Sequence, residues 1–204
     1  MLTRVHGLGQ RAALFWAALW LCIPCLAVAQ SVPERFQSLC QSCHGEGGVS
    51  TTSLTPSLAG QPSFYVVTQL FLFREGRRAN PLMSAMAKGM SDSDLRAFSE
   101  YIGKLPPPPA PGMDGLVAQR MSRGATLVQE HRCASCHGAD FSGGKQVARL
   151  ANQREDYLLQ TMKEFQSGQR LGYTTAMNET LVGISAEGLQ DIAYYLAHAP
   201  RAKP

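Results

Sequence analysis

The sequence predicts an all-α protein built from two similar small domains in tandem. The pattern Cys-x-x-Cys-His occurs twice, first in "CQSCHG" and again in "CASCHG". The stretches that follow the two copies also correspond in order, which indicates an internal duplication. Apolar residues recur at helical spacing in both halves, and no segment shows the alternation that is typical of a strand.

The two halves align over most of their length. "SLAGQPSFYVVTQLFLFREGRR" corresponds to "RLANQREDYLLQTMKEFQSGQR", and "MSDSDLRAFSEYI" corresponds to "ISAEGLQDIAYYL". In the first block the equivalent residues are 92 positions apart: Tyr65 and Tyr157, Gln69 and Thr161, Gly76 and Gly168, Arg78 and Arg170. A proline run, "PPPPAPG", cannot lie inside a helix and separates the halves. We therefore expect domains at residues 30–105 and 113–204, joined by a proline-rich linker at 106–112.

Each half is expected to contain three helices. The first helix runs into the Cys-x-x-Cys-His group, from Pro33 to Cys43 and from about Gly115 to Cys136. Ser63 is the expected N-cap of the first middle helix, and Ser91 and Ser185 are the expected N-caps of the last helices. The residues expected in the two cores lie at helical spacing: Tyr65, Leu70, Phe73, Leu95, Phe98, Ile102 and Leu105, then Tyr157, Leu158, Met162, Phe165, Leu189, Ile192 and Leu196.

Residues 1–29 have the pattern of a cleavable signal peptide. Arg4 and Arg11 precede an uncharged segment of 18 residues that ends in Ala27-Val28-Ala29, a small-x-small sequence. A retained membrane anchor is the alternative, because 18 apolar residues can just span a bilayer. Pro24 and the small residues at the end favour cleavage. We therefore expect a periplasmic protein, and peripheral association with the membrane is compatible with this prediction.

All cysteines outside the first 29 residues belong to the two Cys-x-x-Cys-His groups. Two disulfides could form in an exported chain, but neither group has the strand–helix context of a redox-active pair. A four-cysteine zinc site is also conceivable, but the groups lie in separate repeats. Covalent haem is favoured, because this pattern is the attachment signal of c-type cytochromes. The expected thioether residues of two haem c groups are Cys40, Cys43, Cys133 and Cys136. The haems would also fill cores that are otherwise small.

The histidine of each group, His44 or His137, is expected to be the fifth ligand of an iron. The sixth ligand decides function, because a closed iron carries electrons and an open iron can bind small molecules. His131 and His198 are interpreted as surface residues, which leaves methionine. Met83 and Met177 are the favoured sixth ligands, since each lies seven residues before the dipeptide that opens the last helix. Met86 and Met90 are interpreted as core residues, with Met86 kept as a reserve ligand.

These motifs together resemble the dihaem cytochrome c4 family of periplasmic electron carriers. The resemblance covers nearly all of the chain after residue 29. It implies two tandem class I cytochrome c domains, each a small helical fold wrapped around its haem. It also implies His/Met ligation of both irons, by His44 with Met83 and by His137 with Met177.

The resemblance implies an electron-transfer protein rather than an enzyme. Its expected partners are a quinol-oxidising complex or a dehydrogenase as donor and a terminal oxidase as acceptor. The formal net charge of +4, without a basic cluster, gives no indication of nucleic-acid binding. Two alternatives remain: the electron-accepting subunit of a periplasmic dehydrogenase of the flavocytochrome or alcohol dehydrogenase type, and a dihaem redox enzyme such as a peroxidase. The oligomeric state is left open.

The second half departs from the family pattern at two positions. The family usually has a proline whose carbonyl faces the proximal histidine. Pro56 fits this pattern, but Ala148 stands at the second site, and Asn152 replaces the expected glycine. We expect the second loop to be less constrained and the two haems to differ in midpoint potential. A redox titration that gives identical midpoints would contradict this prediction.

Overall fold

The computed structural model describes residues 30–112, 114–170 and 175–199. The predicted signal peptide lies outside the described residues. Within these ranges the regular structure is helical, and the only bridge of β type is an isolated one between Gly144 and Val147. This confirms the predicted all-α class. No helix in the described ranges is long and apolar enough to cross a membrane.

Ten helices are described, five in each half. The first half contains α1 (Val32–Leu39), α2 (Gln41–His44), α3 (Ser63–Arg74), α4 (Pro81–Ala87) and α5 (Asp92–Lys104). The second half contains α6 (Ala118–Glu130), α7 (Ala134–His137), α8 (Glu155–Gln166), α9 (Ala176–Leu181) and α10 (Ala186–Ala197). A short 3₁₀ turn, Glu46–Gly48, follows α2.

The structure divides the predicted first helix of each half and adds a short helix to each predicted loop. The attachment groups form the separate turns α2 and α7. The added helices, α4 and α9, hold the candidate methionines. Asn80 caps α4 by accepting a hydrogen bond from the Met83 N–H at 2.9 Å, and Pro81 follows in the first turn. Both features are typical of a helix start, so the beginning of α4 could have been predicted.

The N-caps of the last helices are confirmed. The Ser91 hydroxyl accepts a hydrogen bond from the Asp94 N–H, and the Asp94 carboxylate accepts one from the Ser91 N–H, which makes a capping box. The Ser185 hydroxyl accepts a hydrogen bond from the Gly188 N–H at 3.0 Å. The prediction for Ser63 was wrong, because Ser63 is the first helical residue and Pro62 occupies the N-cap position without a side-chain bond.

Each half has its own apolar core. In the first half α3 and α1 pack against α5, and in the second half α6 and α8 pack against α10. Most of the expected core residues are buried: Phe73, Leu95, Phe98, Ile102, Leu158, Met162, Leu189, Ile192 and Leu196. Tyr65 and Tyr157 are only half-buried, because both reach the boundary between the halves.

The linker lies against the first half. Pro108 is buried. A side chain added at Gly60 would place its Cβ 2.8 Å from the Cβ of Pro107, so the chain approaches the linker closely at this point. The predicted boundaries of the domains and of the linker stay predictions.

Two glutamines at equivalent positions join the halves. The Gln61 amide donates a hydrogen bond to the Arg149 carbonyl and accepts one from the Arg149 N–H, both at 3.0 Å. The Gln153 amide makes the same pair of bonds with the backbone of Ser57, both at 2.8 Å. Ser57 and Arg149 are themselves equivalent in the repeat. The interface therefore has approximate two-fold symmetry.

Gly124 allows the close approach of α6 and α10. A Cβ at this position would overlap the Asp191 carbonyl oxygen and would lie 2.6 Å from the Tyr195 Cβ. Alanine is the better helix former by about 1 kcal/mol. The overlap is with backbone, however, and α10 must shift to relieve it.

We expect Gly124→Ala to lower the free energy of unfolding by about 1–3 kcal/mol, the usual range for overpacking. Denaturant unfolding of the haem-loaded protein measures this change. Gly144→Ala is the control, because no atom lies within 4 Å of its added Cβ. A loss in the control as large as that in Gly124→Ala would contradict the steric explanation.

Candidate functional site

Each Cys-x-x-Cys-His group forms one helical turn. In the first group the N–H groups of Cys43 and His44 both donate to the Cys40 carbonyl, at 3.3 and 2.9 Å. The second group repeats these two bonds at 3.4 and 3.1 Å. Residues three apart lie on the same side of a helical turn, so both sulfurs of a pair face one side. The four described cysteines are free thiols.

Both histidines are buried and anchored to a backbone carbonyl. His44 Nδ1 lies 2.8 Å from the Pro56 oxygen, and His137 Nδ1 lies 2.9 Å from the Ala148 oxygen. A carbonyl can only accept, so Nδ1 carries the proton and Nε2 is left to bind a metal. Burial lowers the pKa of both imidazoles and favours the neutral form, which is the form that a metal site requires.

The second half accommodates both residues that depart from the family pattern. Ala148 provides the same backbone bond as Pro56, at nearly the same length. Asn152 adopts a positive φ of 58°, where the equivalent Gly60 has 68°. Asparagine tolerates this left-handed region better than most residues. Its side chain also donates to the Ala199 carbonyl at 2.9 Å, which holds the loop against the end of α10.

The surroundings of the attachment cysteines fit a porphyrin edge. Cys40 packs against the first core and Cys133 against the second. Burial raises the pKa of the Cys40 thiol to about 11, and it raises the pKa of Cys133 as well. Two sulfurs on one side of a turn, an anchored imidazole and an apolar wall are the features that a covalent haem requires.

The candidate methionines lie on the short helices before the last helix of each half. Met83 is on α4, which packs against α3, and Met177 is on α9, which packs against α8. Both are partly buried, and Met177 contacts the second core. Met90 packs against the first core as predicted. Met86 is 36% exposed, so its interpretation as a core residue was wrong.

The other two histidines in the described ranges are less exposed than predicted. His131, which caps the end of α6, and His198, at the end of α10, are both half-buried. Nδ1 of His198 lies 2.8 Å from the Tyr194 carbonyl oxygen. In the part of the chain that the structure describes, no group of three or more His, Cys, Asp or Glu side chains is placed to hold a metal ion.

The sequence analysis missed a cluster of arginine and tyrosine residues between the halves. Arg78 donates to the Tyr157 hydroxyl at 2.8 Å, and Arg170 donates to the Tyr65 hydroxyl at 3.4 Å. Burial alone would raise the pKa of Tyr157, but the charges of Arg78 and Arg170 outweigh burial and lower it to about 8. The equal spacing of these residues in both repeats was the available signal.

Comparisons with known proteins agree with these features. The family model "Cytochrome C oxidase, cbb3-type, subunit III" matches residues 27–102, and the model "Cytochrome c" matches residues 121–200. The thiosulfate dehydrogenase electron acceptor of Thiomonas intermedia is 32% identical over an alignment of 208 positions, which covers 97% of this chain and 91% of that protein.

Cytochromes c4 are among the relatives. Cytochrome c4 of Thiocapsa roseopersicina is 31% identical over 147 residues, which span 69% of this chain and 76% of that protein. The solved cytochrome c4 structure from Acidithiobacillus ferrooxidans is 28% identical with a TM-score of 0.69, and the match covers 79% of this chain and 99% of that one. The chain therefore belongs to the dihaem cytochrome c4 family and is an electron-transfer protein in which two class I cytochrome c domains each carry a covalent haem c.

Proposed function

We propose that the protein carries electrons one at a time in the periplasm, from a quinol-oxidising complex or a dehydrogenase towards a terminal oxidase. The duplicated site is the observation that supports this function. Each domain combines a buried, anchored histidine with a partly buried methionine on a short helix. We assign His44 and Met83 to one iron and His137 and Met177 to the other, with Cys40, Cys43, Cys133 and Cys136 as the thioether residues.

When bound, each haem supplies a one-electron couple. The methionine sulfur is a soft donor that stabilises the ferrous state and so raises the potential. The backbone carbonyls at Pro56 and Ala148 hold the imidazoles in one orientation, so ligation changes little between the redox states. Burial of both histidines keeps water from the proximal side of each site.

A second candidate is the electron-accepting subunit of a periplasmic dehydrogenase. Its support is the match to a thiosulfate dehydrogenase electron acceptor, which spans nearly the whole chain. The same two haems would serve, and only the donor would differ. Stopped-flow reduction of the oxidised protein by a purified thiosulfate dehydrogenase, compared with reduction by a quinol-oxidising complex, separates the two candidates. Faster reduction by the dehydrogenase, together with its co-purification, would favour the second.

Carbon monoxide tests whether both irons are closed. We expect the purified, reduced protein to show no carbon monoxide adduct in its absorption spectrum at neutral pH, because a histidine and a methionine would close each iron. An adduct at one haem would overturn the carrier function for that domain and would favour catalysis or gas binding there.

Replacement of the methionines tests the ligand assignment. We expect Met83→Ala to open one iron, so that one haem per molecule binds carbon monoxide and its midpoint potential falls. Met177→Ala should do the same in the other domain. Met86→Ala is the matched control on the same helix, and we expect it to leave both irons closed. Carbon monoxide binding by Met86→Ala but not by Met83→Ala would make Met86 the ligand.

A further inference from the structure

A single peptide group joins each proximal histidine to the opposite domain. The peptide between Pro56 and Ser57 accepts the His44 Nδ1–H at its oxygen, at 2.8 Å. The N–H of the same peptide donates to Oε1 of Gln153 in the second domain, also at 2.8 Å. One peptide therefore lies between the ligand candidate of one domain and an amide of the other.

The second domain has the same arrangement with the roles exchanged. The peptide between Ala148 and Arg149 accepts the His137 Nδ1–H at 2.9 Å. Its N–H donates to Oε1 of Gln61, in the first domain, at 3.0 Å. The two chains of hydrogen bonds cross the interface in opposite directions, as the two-fold symmetry requires.

Water is largely excluded from these bonds. Gln61, Gln153 and Ser57 are 6%, 5% and 3% exposed, and both histidines are buried. Hydrogen bonds in such low-dielectric surroundings are strong, and consecutive bonds polarise one another. An acceptor at the N–H end of a peptide makes the carbonyl oxygen more negative. That oxygen then draws the imidazole proton more strongly and makes Nε2 a better electron donor.

We propose that Gln153 tunes the potential of the first domain's haem and that Gln61 tunes that of the second, each acting through the peptide that holds the other domain's proximal histidine. The glutamines are positioning residues and do not touch the haem. A more basic imidazole stabilises ferric iron, so each glutamine lowers the potential across the interface. The midpoint potential of each haem therefore depends on the contact between the domains.

The sign and the crossing of the effect can be measured. Gln153→Met keeps the length of the side chain and removes both hydrogen bonds to Ser57. We expect it to raise the reduction equilibrium constant of the first domain's haem about threefold, which is a midpoint shift of about 28 mV for a one-electron couple. The midpoint of the second domain's haem should stay nearly unchanged. Gln61→Met should instead raise the reduction equilibrium constant of the second domain's haem. Spectroelectrochemical titration, fitted with two one-electron waves, measures both midpoints.

Controls separate this effect from general loosening. Gln160→Met removes an exposed amide on α8 that donates to Glu164 at 3.0 Å, and we expect it to move neither wave. The waves are assigned to domains with Met83→Ala and Met177→Ala, each of which displaces one of them. If Gln153→Met does not fold with both haems, Gln153→Asn is the second variant. Its side chain is too short to reach Ser57, so it should shift the midpoint potential of the first domain's haem in the same direction.

The proposal requires that each glutamine substitution shift the midpoint of the haem in the opposite domain. Unchanged midpoints, equal shifts of both haems, or a shift confined to the substituted domain's own haem would each overturn it. The inference rests on the proposed histidine ligation, and the two can fail separately. Loss of ligation appears as carbon monoxide binding, whereas failure of the glutamine effect appears as wild-type midpoints in a protein whose irons are closed.

Discussion

The hydrogen bond from each buried histidine to a backbone carbonyl is the interaction on which the rest of the structure depends. It fixes the tautomer and orientation of the imidazole, so that Nε2 of His44 or His137 is left for iron. The carbonyl belongs to a loop whose next residue meets the other domain. The helical turn that carries the cysteines, the loop at Pro56 or Ala148 and the domain interface thus form one continuous unit. A helical domain of this size buries little apolar surface by itself, so a bound haem adds to its stability.

The approximate two-fold symmetry explains why both domains keep the same set of interface residues. Gln61 and Gln153 each bind the backbone of the opposite domain, and Arg78 and Arg170 each reach a tyrosine hydroxyl of the opposite domain. These contacts join the two electron-carrying domains of one chain.

Much of the fold could be predicted because the sequence contains the same pattern twice. Helical spacing identified the cores, and serine caps identified the starts of α5 and α10. Tyr65 packs against the first core as predicted, but the contacts of Tyr65 and Tyr157 with the opposite domain were not predicted. Periodicity shows which face of a helix is covered but not which domain covers it. The hydrogen bonds of Gln61 and Gln153 to the opposite domain could not be predicted for the same reason. Helices α4 and α9 are too short for periodicity to detect, and only the cap at Asn80 marked the first of them.

Closure of both irons by histidine and methionine is the central claim, and proton NMR of the fully reduced protein tests it most directly. The methyl group of a methionine bound to low-spin ferrous haem lies above the porphyrin ring, whose ring current shifts it far upfield. Ligation by Met83 and Met177 predicts two such three-proton signals, one for each domain. A spectrum with one signal or none would contradict the account, because at least one iron would then lack its methionine.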